Sequence, residues 1–338
     1  MIKIENGYSS EEGKKKSIAE LANEHYNRVI EKKGRYVSPL DKLKEALDTE
    51  KEITPRTDEV VCKIEFLEKV TGEAEFKRLL SASLEEFDEI INEYAGFNSL
   101  FENEGYKLYL ELFGYSRLRK LRLMYIFAQD LGIKTCPYCN NNYILTIKKS
   151  KKANLHFDHF YSKSKYPYLS LNFYNLIPCC ATCNITKSDK DFNYNDYIHP
   201  YKDSLADKFK FITDRDSIFN MILNGNKNLN NMKVILKPKK GYEDHLDRHD
   251  KAFNLSEIYN EHSDIIFEVY AKQYIYTEKF KSLLIDNFEE QFSKEEIDRF
   301  ILGNYVSESD INKRPLSKLM QDIQKEAGKL IEKNKDNS

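Results

Sequence analysis

The chain has no tryptophan, and only 12 glycines and 8 prolines punctuate its 338 residues. Glycine this scarce excludes a collagen-like repeat, and the shortage of both turn-formers speaks against a fold of many short strands. Long apolar runs are absent too. The longest clean one, Leu123 to Ala128, is six residues, against the roughly 18 to 20 that a membrane-crossing helix needs. The start, Met1-Ile2-Lys3-Ile4-Glu5 followed by the polar Gly7 to Lys16, lacks the apolar centre of a secretory signal. A cytoplasmic protein with no membrane partner is the expectation. Charge of one sign is not in excess either: 53 basic residues stand against 55 acidic ones, a net charge of -2. The chain as a whole therefore has no attraction for a polyanion, and any basic surface must be local.

What is present is 41% hydrophobic and 32% charged residues, with 23 tyrosines and 20 phenylalanines, enough to build one large or two modest cores. Disorder is excluded. From about residue 14 to 133 apolar residues recur at three- and four-residue spacing, as in Ile18, Leu21, Ala22, Tyr26, Val29 and Ile30, which predicts helices. Ser38-Pro39 and Ser83 with Glu86 read as helix starts. A further helical stretch from Tyr106 to Ile133 breaks near Gly114 and carries Arg117, Arg119, Lys120 and Arg122. That basic group reads first as a solvated face, with phosphate contact as the alternative. Between 208 and 237, Phe209 to Ile212, Ile218 to Leu223 and Val234 to Leu236 read as short strands, with Asn224-Gly225-Asn226 as a turn. Helices return after Gly241, one of them opened by Ser293 with Glu296, and the last is expected from Pro315 to about Lys333.

Residues 134–203 break the helical pattern and hold five of the six cysteines, all within a stretch of 48 residues. Such crowding is not a disulfide framework and points to metal in a reducing compartment. Cys136-Pro137-Tyr138-Cys139 and Cys180-Ala181-Thr182-Cys183 are two CxxC turns, and two such turns supply the four thiolates of one tetrahedral zinc. Four thiolates leave no open position, so this zinc would be structural. Cys179 complicates the second turn, but the Cys180 spacing matches the first. Cys62 stands alone in an apolar pattern and reads as a buried small hydrophobe.

Between the cysteine pairs lie Leu155-His156-Phe157-Asp158-His159-Phe160 and Tyr174-Asn175-Leu176-Ile177-Pro178, and Asn184-Ile185-Thr186-Lys187 follows directly after Cys183. The order CxxC, Asp-His, Asn-Leu-Ile-Pro, CxxC-Asn-x-x-Lys resembles the HNH endonucleases, whose ββα-metal finger is commonly stapled by a four-cysteine zinc. The resemblance covers about residues 134 to 203. It implies a central ββα-metal HNH finger at 134–203; with the helical region at 1–133 and the short strands and helices at 204–338 that the residue pattern predicts, the expected fold is α+β and mostly α-helical. It also implies metal-dependent hydrolysis of phosphodiester bonds. The residue types suit that chemistry, because hydrolysis needs a base for water and a cation to offset charge on the phosphate. By the resemblance, His159 is the general base, Asp158 and Asn184 hold a catalytic Mg2+, and Asn175 braces the finger and orients His159.

Neighbours on a strand point to opposite faces. Asp158 is therefore expected at the end of the first strand and His159 at the start of the loop that follows, with the second cysteine turn launching a helix that bears Asn184 and Lys187. His156 reads as a structural strand residue. Eight lysines against Asp158 and Asp189 give residues 145 to 190 a local charge of +6. Lys163, Lys165 and Lys187 are the expected phosphate contacts.

Lys313-Arg314-Pro315-Leu316-Ser317-Lys318-Leu319 with Asp322-Ile323 is similar to the C-terminal end of bacterial HNH proteins of the PtuB (Septu) type, the nuclease partners of an ATPase in anti-phage defence. That similarity implies an ATPase partner and nucleic acid as substrate, DNA ahead of RNA. The competing readings are a zinc-stabilised nucleic-acid-binding module without catalysis and an RNA-directed nuclease.

Overall fold

In the computed structural model, residues 2–9, 14–31, 37–116, 122–214, 216–218 and 232–336 are described. The fold is α+β and mostly helical. Among the described residues the strands form four separate two-stranded antiparallel sheets. The chain divides into two compact units, one of Ile4–Ile133 with Ile144–Lys202, the other of Met1–Lys3 with Lys134–Tyr143 and Asp203–Ser338.

In the first unit, β1 (Asn6–Ser9) and β2 (Lys14–Ser17) lead into α1 (Ile18–Ile30), then α2 (Pro39–Lys51), α3 (Asp58–Thr71), α4 (Glu73–Ser81), α5 (Phe87–Tyr94), α6 (Tyr106–Leu112) and α7 (Leu123–Leu131). The helix starts follow the sequence signals. Ser38 accepts from the Asp41 amide with Pro39 in the first turn, and Ser83 and Glu86 form a reciprocal cap ahead of α5. The break after α6 falls at Gly114, whose φ of 73° is left-handed. Arg117, Arg119 and Lys120 lie outside the described residues, whereas Arg122 opens α7 in the left-handed region with φ 61°.

An aromatic core ties these helices to the segment that follows. The ring of Phe66 meets Tyr94 and Tyr109 edge-on, and Tyr94 stacks on Tyr168 with centroids 4.5 Å apart. Tyr168 belongs to the loop between two further strands, so the helical core grips that loop directly. The segment itself runs β3 (Leu145–Ile147), β4 (Lys152–Asn154), β5 (His156–His159), β6 (Leu176–Cys179) and α8 (Ala181–Lys187).

The second unit pairs β7 (Phe209–Thr213) with β8 (Val234–Pro238), the two outer strands the pattern predicted. Of the expected middle strand, Ile218 instead lies in a helical turn, and 219–223 and the 224–226 turn lie outside the described residues. The helices are α9 (Glu243–Phe253), α10 (Leu255–Asn260), α11 (Ser263–Ile275), α12 (Glu278–Phe288), α13 (Lys294–Leu302), opened by the Ser293–Glu296 cap, and α14 (Ser317–Asp336). Asp322 and Glu326 of α14 accept hydrogen bonds from the Phe211 and Thr213 amides of β7, at 2.9 and 2.8 Å. No helix among the described residues is long and apolar enough to cross a membrane.

Candidate functional site

Strands β5 and β6 pair in the register His156 with Cys179, Phe157 with Pro178, Asp158 with Ile177 and His159 with Leu176. The buried side chains of Leu176 and Ile177 hold the hairpin to the core of its unit. Helix α8 begins where Cys180 caps it, the Cys183 amide donating to the Cys180 Sγ. The result is a β-β-α arrangement that places Asp158 and His159 on the first strand and Asn184 on the helix.

The loop between the strands is pinned by Asn175. Its Oδ1 accepts from the Tyr161 amide at 2.7 Å, and its Nδ2 donates to the Tyr161 and Leu169 carbonyls at 3.1 Å each. Asn175 thus braces the turn that follows His159, and none of these three hydrogen bonds goes to the imidazole. Asn172 adds the outer anchor, donating to the Leu79 and Ala82 carbonyls.

His159 is the final residue of β5 and not the first of the loop, a one-residue correction. It is buried, its Nε2 lies 3.0 Å from the Ser170 carbonyl, and Tyr115 meets its ring edge-on. A carbonyl only accepts, so Nε2 carries the ring proton and Nδ1 keeps a lone pair. Burial first, then the charge of Lys163, push the imidazole down to about 3, so the ring is neutral at physiological pH.

Asp158 is also buried, with Lys187 Nζ 3.2 Å from its Oδ1. The same ammonium donates to the His159 carbonyl at 2.7 Å and lies over the Phe192 ring. The phosphate-contact expectation for Lys187 is therefore corrected: at 1% exposure it is an internal counter-charge. Lys165 is exposed and ion-paired with Asp191 at 2.7 Å, outside the cavity described next. Lys163 does line that cavity, with its ammonium over the Tyr115 ring.

The cavity has a volume of about 800 Å3 and lies within the first unit. Asp158, His159 and Asn184 all line it, so the structure brings these three predicted residues to one space. His156 joins them, with Nδ1 3.4 Å from Asn184 Nδ2. The walls add Arg122, Lys151 and Lys152. Sequence reasoning gave His156 only a structural role and put a solvated face ahead of phosphate contact for Arg122. The alternation of β5, which puts residues 156 and 158 on one face, was the available signal for His156.

The sulfurs of Cys136, Cys139, Cys180 and Cys183 lie within 4.8 Å of one another, and all four residues are buried. None is in a disulfide. The Asn141 amide donates to Cys139 Sγ as the Cys183 amide does to Cys180 Sγ, both at 3.4 Å, which is the environment a thiolate wants. Four convergent sulfurs of this kind fit a metal such as zinc. Cys179 stands outside the cluster, and burial keeps its thiol protonated far above the usual range, so Cys180 is the cluster member of the pair. The first turn is seated by residues remote in sequence: Asn140 donates to the Ile311 carbonyl and accepts from the Leu316 and Lys318 amides, and Tyr138 stacks on Phe253. No protein-family model, no curated protein and no solved structure matches the chain.

Proposed function

We propose that the chain is a metal-dependent endonuclease of the HNH type, hydrolysing phosphodiester bonds in nucleic acid, DNA ahead of RNA. The observation that carries this reading is the meeting of Asp158, His159 and Asn184 in one cavity of about 800 Å3 that Arg122, Lys151, Lys152 and Lys163 also line.

The Ser170 carbonyl fixes the tautomer of His159 and leaves the lone pair on Nδ1. Nδ1 then accepts the proton that water gives up as its oxygen attacks phosphorus. Asp158 and Asn184 offer hard oxygen donors, which fit Mg2+. A divalent cation held by them supplies positive charge to the phosphate and to the leaving oxygen. The basic side chains of the cavity wall bind the phosphate backbone by charge, which gives affinity without sequence readout. Lys187 holds Asp158 in place and Asn175 holds the loop that carries the Ser170 carbonyl. Zinc on the four cysteines has no open position and acts as a staple.

An ATPase partner in anti-phage defence completes the reading. The similarity of residues 313–323 to PtuB-type proteins supports it, as do the exposed Phe280, Leu283 and Phe288 of α12, a helix with no buried residue. The test is incubation with plasmid DNA, single-stranded DNA and RNA in Mg2+, with the protein alone and together with a PtuB-type system's ATPase. Cleavage that disappears in Asp158→Asn supports the reading. Tight binding with no cleavage under either condition refutes it in favour of a binding module.

A further inference from the structure

His156 and Asp158 lie two residues apart on β5, so they share one face of the strand. Asn184 stands on α8 beside them, and all three line the same cavity. The Asn184 Nδ2 to His156 Nδ1 separation of 3.4 Å is long for a hydrogen bond, which favours 2.7 to 3.2 Å. It also fits two atoms that share a metal, since ligands about 2.1 Å from one ion, at angles between a right angle and the tetrahedral angle, stand roughly 3.0 to 3.4 Å apart. A half-turn of the Asn184 carboxamide puts Oδ1 where Nδ2 stands, at no cost in shape.

We infer that His156 is the third ligand of the cation site, its Nδ1 joining oxygens of Asp158 and Asn184, and that the site takes a transition ion such as Mn2+ in preference to Mg2+. The inference rests on the cation seat of the proposed function and adds the nitrogen donor. An imidazole in the set changes which ions compete, because nitrogen ligands suit transition metals while Mg2+ demands oxygen and sheds water reluctantly. The nearby lysines that line the same cavity, Lys151, Lys152 and Lys163, then serve the phosphate and not the ion.

The experiment is pulsed electron paramagnetic resonance of Mn2+ bound to the full-length, zinc-loaded protein, with binding measured alongside by titration. Wild type is expected to show the nitrogen coupling of a directly bound imidazole. His156→Ala should lose that coupling and weaken Mn2+ binding tenfold or more, while His159→Ala keeps it. Mn2+ that binds in an Asp158-dependent manner without nitrogen coupling, or with coupling that survives in His156→Ala, overturns the His156 assignment and leaves the seat intact. Mn2+ binding that is absent, or indifferent to Asp158→Asn, overturns the seat and the assignment together.

Discussion

Lys187 Nζ lies 3.2 Å from Asp158 Oδ1, and both side chains are almost wholly buried, at 1% and 5% exposure. A buried ion pair gives little net stability, but removing one partner strands the other charge. Lys187→Met is therefore expected to destabilise the protein by about 3 to 5 kcal/mol in denaturant unfolding. Adding Asp158→Asn should restore part of that loss, since the stranded charge is then gone. A single variant within about 0.5 kcal/mol of wild type, the ordinary range of surface substitutions, would place Lys187 in solvent.

Asn175 satisfies three backbone groups, the amide and carbonyl of Tyr161 and the carbonyl of Leu169. Asn175→Ala leaves buried groups unpaired and should cost about 1 to 3 kcal/mol. Proteolysis of the 160–175 loop should quicken as well. Unchanged stability together with unchanged loop protection would show that the brace is dispensable.

The cysteine cluster yields a metal-content prediction. Cys180→Ser should lose the ion and unfold more readily, whereas Cys179→Ala, outside the cluster, should retain one equivalent of zinc by elemental analysis. Retention in Cys180→Ser with loss in Cys179→Ala would reverse the assignment.

Three buried histidines make a pH prediction. Burial pushes His25 down to about 4 and His159 and His199 down to about 3. The unfolded chain takes up these protons near pH 6.5 and the folded one does not, so the unfolded state binds more protons between those values. Stability from these groups is thus complete above about pH 6.5 and is lost as the pH falls toward 4 and 3. Their ring resonances should stay at neutral positions in NMR spectra from pH 7.5 down to 5. A ring that titrates near 6.5 would mean the native protein opens to water there.

The parts of this account legible in the sequence are those coded over short spans. The two CxxC turns, the Asp158-His159 pair, Asn175 and Asn184 sit in order within 50 residues, and helix starts such as Ser83 with Glu86 are local hydrogen bonds. What was not legible depends on where the chain returns. A lysine's residue type does not say whether it meets solvent or Asp158, so Lys187 was misread. Arg122 reaches the cavity wall from a helix start more than thirty residues before β5. Asn140 finds its partners at Ile311, Leu316 and Lys318, a pairing that no periodicity encodes. The segment around Pro315 was legible only as a short similarity to other chains, and its seating of the first cysteine turn through Leu316 and Lys318 was not.

The central claim is that His159 takes a proton from the attacking water. Its most direct test is nucleic-acid cleavage by wild type and by His159→Ala, with equal zinc content and the same divalent ion in both. The account predicts cleavage by wild type and a loss of at least about a hundredfold in the variant, the usual worth of a general base. Equal rates in the two proteins would contradict it.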